Sequence, residues 1–449
     1  MTPNSLRTPA FAALLTLGLL SACGSVTGRP DAASGHALSA QATLITDLPK
    51  NYKYLHTLTI PTAVTAAALL KMYGGYMVAF HPELGTAIIA NNNATKGSYD
   101  GTTVELSTRS YRVSELGFST WATGFGTWAS GYSTWASGYS TWASGTTGSG
   151  SATTFTENVP LWNMIKLSEA QSLVPELGSG IKVAVIDSGI DLNHPAFNGK
   201  LDTSNAKDYI DGDGVPQEVN ANTTGGYSDG YGHGTAAASV LLQVAPKVTI
   251  LPIRALDANG LGDTSTIASA VDYAVSKGAR VINLSLGSTT YSDALNTSIK
   301  NAVSKGVAVI CAAGNSGDTR VLYPAYSADT TGIVGNGSVG VGSVSSTFLK
   351  SSFSTYGPNL EMTAPGENVI AAFPGSQTVS VTGTSFSTPV VSGIVALALS
   401  TGMNVSTASS LNTLLTNLNK TATPASDPSY LTALGYGTIN AYTFIHLYR

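Results

Sequence analysis

The segment GTSFSTP at residues 383–389 puts Ser385 at the head of an apolar stretch, where its hydroxyl could act as a nucleophile. A serine hydroxyl is a poor nucleophile at neutral pH. It needs a base within hydrogen-bond reach, and that base needs a partner to fix its tautomer. Two earlier segments offer both. GHGT supplies His233, whose ordinary pKa of about 6.5 suits it to take the serine proton and return it to a leaving amine. VAVIDSGID supplies Asp187, at the end of an apolar run, to hold the other ring nitrogen and stabilise the imidazolium. His194, in NHP, is the rival histidine, but no small-residue loop and helix stand beside it and it is read as structural.

The elements that must position these groups alternate in type. KVAVIDS, VTILPIRAL, RVINLSL and VAVICAA are continuous apolar runs rich in Val and Ile, as expected of strands buried on both faces. HGTAAASVLLQV, TIASAVDYAVSKG and SDALNTSIKNAVSKG read as helices, the last two stopped by Gly278 and Gly306. Such alternation predicts an α/β fold with a mostly parallel sheet and helices on both faces, with ligands bound outside the carboxyl ends of the strands.

The three segments, in the order Asp187, His233, Ser385, resemble the subtilisin-like serine proteases, and the resemblance extends over residues 157–449, to the closing segment GYGTINAY. It implies a three-layer catalytic domain and a serine endopeptidase working through an acyl-enzyme, with no cofactor needed for the chemistry. It also implies that Asn315, in CAAGNSG, is an oxyanion donor alongside the backbone N–H of Ser385. The groove would be edged by Ser285, Leu286 and Gly287 on one side and Leu261, Gly262 and Asp263 on the other, with Ala312, Ala313 and Gly314 as a further wall of the first side-chain pocket. Nothing charged stands among residues 285–287 and 312–314, which favours apolar or aromatic substrate side chains. The sequence departs from the family pattern at AAAS after GHGT and at Phe386 and Ser387, where Met and Ala are common. GxSxG is absent around Ser385, which argues against an esterase or lipase. The competing non-enzyme reading is a catalytically weak protease-fold surface protein that binds through a tryptophan repeat.

That repeat lies at residues 119–145, within a linker assigned to residues 93–156. STWATGF, GTWASGY, STWASGY and STWASG recur with a period of seven and align Trp121, Trp128, Trp135 and Trp142. Glycine in every unit makes a coiled coil improbable. Hairpins, turns or a flexible segment remain open, as do the roles of spacer, glycan-binding surface and cover over the groove. Residues 41–92 contain strand-like YLHTLTI, YMVAF and TAIIANN around a helix-like TAVTAAALLKMYG, and resemble the small α+β propeptide that many such proteases carry.

The N-terminus has one positive residue, Arg7, and then an apolar run too short for a comfortable membrane span, which reads as a secretory signal over residues 1–22. LSAC resembles a bacterial lipobox, making Cys23 the lipidated residue, with residues 23–40 a small, polar tether. The other cysteine, Cys311, sits in an apolar run and reads as inert core, so no disulfide is expected. The expected partners are peptide substrates, the chain's own propeptide and, before processing, a membrane. The protein is expected to be monomeric and extracytoplasmic. With 449 residues, 43% hydrophobic, 11% charged and a formal net charge of -4, the chain can fill a large core and offers no basic field for nucleic acid. Asp208, Asp211 and Asp213 in KDYIDGDG could supply oxygen ligands to a structural calcium ion, but they lack the glutamate that completes a helix-loop-helix calcium site and read better as solvated turn aspartates.

Overall fold

The computed structural model describes residues 54–60, 64–82, 86–92, 108–112, 119–120, 129–134, 155–223, 227–329, 335 and 337–449. The signal segment, Cys23, the tether and the four repeat tryptophans lie outside them.

The first described elements are β1 (Tyr54–Thr59), α1 (Ala66–Tyr73), β2 (Tyr76–His81), β3 (Thr86–Asn91) and β4 (Thr108–Arg112). Their strands form an antiparallel sheet in the order β2-β3-β1-β4. Thr65 caps α1 by accepting from Ala68 N, and Leu58, Leu69, Tyr73, Met77 and Ile89 close a small core of their own. Two repeat segments follow as strands, β5 (Ser119–Thr120) and β6 (Ala129–Thr134).

Beyond them α2 (Val159–Met164) and α3 (Leu167–Leu173) lead into a parallel sheet built from β7 (Lys182–Asp187), β8 (Lys207–Asp208), β9 (Thr249–Arg254), β11 (Val281–Leu284), β12 (Ala308–Ala312), β13 (Ser338–Val344) and β14 (Met362–Pro365), with β10 (Leu261–Gly262) outside it. Its order is β14-β13-β12-β11-β7-β9-β8, and the pairings are parallel throughout. Helices α4 (His233–Val244) and α7 (Thr384–Leu399) pack together against the sheet, as do α5 (Thr264–Ser276) and α6 (Asp293–Ser304). The result is the helix–sheet–helix layering expected of βαβ units. Gly278 and Gly306 end α5 and α6 with φ of +80° and +75°. The hairpin β15 (Val369–Phe373) and β16 (Gln377–Val381) precedes α7, and α8 (Ala408–Lys420) and α9 (Ala441–His446) complete the chain. All sixteen residues of α7 are buried, so the helix that begins beside Ser385 runs through the core. No helix of the described residues is long and apolar enough to cross a membrane.

Candidate active site

Asp187 ends β7 and His233 opens α4. They can meet because Gly234 carries no side chain: a Cβ there would collide with the Gly189 carbonyl and lie 3.0 Å from Asp187 Cβ. His233 Nδ1 is 2.7 Å from Asp187 Oδ1, which also accepts from Ser188 N at 2.8 Å. Both side chains are buried. Burial alone would favour the neutral ring, but the charge of Asp187, its hydrogen bond and the charge of Glu218 outweigh it, and the His233 pKa is raised.

Glu218 is the group that sequence reading missed. It is 6% exposed and sits behind the Asp187–His233 pair. Its Oε1 accepts from Ser188 Oγ at 2.7 Å, and its Oε2 accepts from Thr235 N at 3.1 Å and Thr235 Oγ1 at 2.7 Å. Ser188 Oγ in turn accepts from Gly234 N at 3.1 Å. One carboxylate thereby ties the loop after Asp187 to the first turn of α4. Burial raises its pKa to about 7, with the Ser188 and Thr235 hydrogen bonds opposing and the charge of Asp187 reinforcing the shift. A glutamate in a PQEV turn carries no sequence signal of this role.

Ser385 lies in the first turn of α7, and its hydroxyl donates to Ser285 O at 3.3 Å. The ring of its neighbour Phe386 packs on that of His233, with centroids 5.4 Å apart, which brings the imidazole alongside this turn. The helix also contains Pro389, which has no N–H to give to the Ser385 carbonyl four residues back. Ser285 Oγ fills that role at 2.7 Å. Asn283 Nδ2 donates to Ser285 Oγ at 2.9 Å, and Ser392 Oγ donates to Asn283 Oδ1 at 2.9 Å. A buried polar chain therefore fixes the backbone beneath Ser385.

Asn315, exposed and just beyond β12, has its carboxamide oriented by Thr384, whose N and Oγ1 both donate to Oδ1 at 2.9 Å. Its Nδ2 is thus the end left facing Gly383, where a Cβ would lie 3.4 Å from it. An amide donor and the start of a helix meet here, an arrangement suited to a developing oxyanion.

The expected groove edges are separate pieces of backbone. Leu261 and Gly262 form β10, which pairs antiparallel with β5: Leu261 opposite Thr120 and Gly262 opposite Ser119. The Asp263 carboxylate is committed to capping α5, accepting from Ser265 N and Thr266 N, so only its main chain can face a ligand. Ser285, Leu286 and Gly287 continue from β11 and are buried, as are Ala312, Ala313 and Gly314 at the end of β12. The second repeat strand, β6, pairs antiparallel with β16, from which the chain passes directly into α7.

Of the aspartates of KDYIDGDG, Asp211 and Asp213 are exposed as expected, whereas Asp208 is not. Asp208 is fully buried, and its Oδ2 pairs with Arg254 Nη1 at 2.9 Å, as does Asp211 Oδ2 at 2.6 Å. Arg254, 46 residues further on, supplies the charge that makes burial of Asp208 tolerable. The guanidinium stands where a shared cation would, so Asp208 and Asp211 do not fit a calcium site, while Asp213 turns its Oδ1 to Val215 N at 2.8 Å. His194 caps a short 3-10 turn, accepting from Ala196 N at its Nδ1, with burial lowering its pKa. Cys311 is buried in β12, and burial pushes its thiol pKa up, as befits an unreactive core residue.

The Subtilase family profile matches residues 178–437. Thermitase from Thermoactinomyces vulgaris is 34% identical over 267 residues, covering 56% of this chain and 88% of that protein. Subtilisin E from Bacillus subtilis (strain 168) is 38% identical over 236 residues, covering 50% of this chain and 56% of the relative. Among solved structures, the prenylagaramide maturation protease PagA aligns with a TM-score of 0.51 at 25% identity, over 63% of this chain and 98% of that one. Together with the parallel sheet and the Asp187–His233 pair, these matches place the chain in the Subtilase family as a subtilisin-like serine endopeptidase.

Proposed function

We propose that Ser385 is the nucleophile, His233 its general base and Asp187 the group that orients and stabilises the imidazolium. The observation that carries this reading is the buried 2.7 Å Asp187–His233 bond beside a serine in the first turn of a helix. Rotation of the Ser385 hydroxyl from Ser285 O toward His233 begins the reaction. The oxygen attacks the peptide carbonyl while the imidazole takes its proton. The oxyanion is held by Asn315 Nδ2 and the Ser385 N–H. Collapse expels the amine, protonated by His233, and leaves an acyl-serine that water hydrolyses. Substrate main chain adds as a strand between residues 261–263 and 285–287, a mode that the pairing of Ser119–Thr120 with Leu261–Gly262 supports.

The enzyme is made as a zymogen. The small domain of β1–β4 acts as its propeptide, a role supported by the contact of β1 and β3 with α6. The repeat segment occupies the groove until it is cut. The precursor is exported and held at a membrane by lipidated Cys23. No calcium ion or cofactor takes part in the chemistry, and Asp208, Asp211 and Asp213 serve as structural carboxylates. A fluorophosphonate probe tests the core of this reading: it should label Ser385 in the processed enzyme, and an unlabelled Ser385 after propeptide removal overturns it.

A further inference from the structure

Two expected walls of the first side-chain pocket end in glycines, Gly287 beyond β11 and Gly314 beyond β12. These adjacent parallel strands open toward Ser385. A missing side chain on each wall would ordinarily leave room for a large substrate side chain between them. The space is instead taken by Leu322. A Cβ built on Gly287 would lie 2.8 Å from Leu322 Cβ and 2.9 Å from its Cδ1, and one built on Gly314 would lie 2.8 Å from Cγ and 2.9 Å from the same Cδ1. One isobutyl group therefore bridges both glycines.

Its backbone is pinned from both sides. Leu322 N donates to Ala313 O at 2.9 Å on one wall. The next residue, Tyr323, exchanges two hydrogen bonds of 2.8 Å with Ser288 on the other. Tyr326 N donates back to Leu322 O at 2.8 Å. The leucine cannot leave the pocket by a simple hinge of its loop.

We propose that Leu322 is the specificity-determining residue of this enzyme, forming the floor of a shallow first pocket that admits alanine-sized side chains and rejects aromatic ones. The proposal rests on residues 285–287 and 312–314 being the pocket walls, and it replaces the aromatic preference that their lack of charge suggested. Small differences in apolar side-chain size discriminate by roughly 10- to 200-fold.

The test uses processed enzyme, titrated with the fluorophosphonate, on a peptide series differing only in the residue before the scissile bond. The wild type should favour alanine over phenylalanine by roughly 100-fold in kcat/KM. Leu322→Ala and Leu322→Gly should raise the phenylalanine rate at least about tenfold, a gain that misfolding cannot produce. Equal wild-type rates on the two peptides, or variants that label with the probe yet gain nothing on phenylalanine, overturn the proposal while leaving the protease reading intact. Absence of labelling and of cleavage after every residue overturns that reading instead.

Discussion

In the proposed mechanism only the neutral imidazole of His233 accepts the Ser385 proton, so the carboxylates around it decide where activity fails in acid. Because the His233 pKa is raised, the acid limb of kcat/KM should lie above pH 6.5, the ordinary histidine value, with activity falling as pH drops through it. Glu218→Gln removes the smallest of the contributions that raise it, one present only where Glu218 is ionised, and should move that limb to lower pH. An unmoved limb would show that Glu218 acts through packing alone. The same glutamate has a stability signature of opposite origin. Its folded pKa, about 7, lies above the ordinary 4.5, so the folded state holds a proton that the unfolded state has lost between those values. Stability from this group falls as pH rises through that window, by an amount of order 3 kcal/mol. The melting temperature of Glu218→Gln relative to wild type should therefore be more favourable at pH 8 than at pH 5. Asn315→Ala should lower kcat roughly 10²- to 10³-fold with KM little changed. A rise in KM alone would assign Asn315 to substrate binding.

At the scale of elements, Ser385 depends on a helix that contains its own breaker. Pro389 frees the Ser385 carbonyl, and Ser285, at the end of a different strand, occupies it. Ser285→Ala would leave that buried carbonyl unpaired and should cost about 1–3 kcal/mol, read from the denaturant midpoint of the phosphonylated enzyme. A midpoint unchanged from wild type would mean that another donor replaces the hydroxyl. This is also where legibility in the sequence stops. The strands and helices were readable because elements buried on every side need unbroken runs of small and apolar residues: α4 coincides with HGTAAASVLLQV, and β7 ends at Asp187 as its apolar run requires. The Asp187, His233 and Ser385 segments were readable because each couples a reactive side chain to small residues that permit close approach. Glu218, Leu322, Thr384 and the Ser285–Ser385 bond were not readable. Each acts through a partner brought near by the fold, and no local pattern marks a residue by what another part of the chain will place beside it. Asp208 failed for the same reason, its partner Arg254 lying on another strand.

For the whole molecule, the two described repeat strands pair at two separate places, β5 on β10 and β6 on β16. A cut between Thr120 and Ala129 would separate the catalytic domain from everything N-terminal to it, including Cys23. N-terminal sequencing of the active species should find its first residue in that interval, and activity should leave the membrane fraction as processing proceeds. Active enzyme that remains intact and membrane-bound would refute the release. The strand on β16 reads ASGYST at Ala129–Thr134, and residues 136–141 read ASGYST again. Exchanging one copy for the other preserves every residue type along that edge while adding seven residues to the connection from β5, roughly 23 Å of extended chain. Such an exchange would lengthen the connection in one whole step and leave the sequence along the edge unchanged. The repeat sets the size of that step at seven residues.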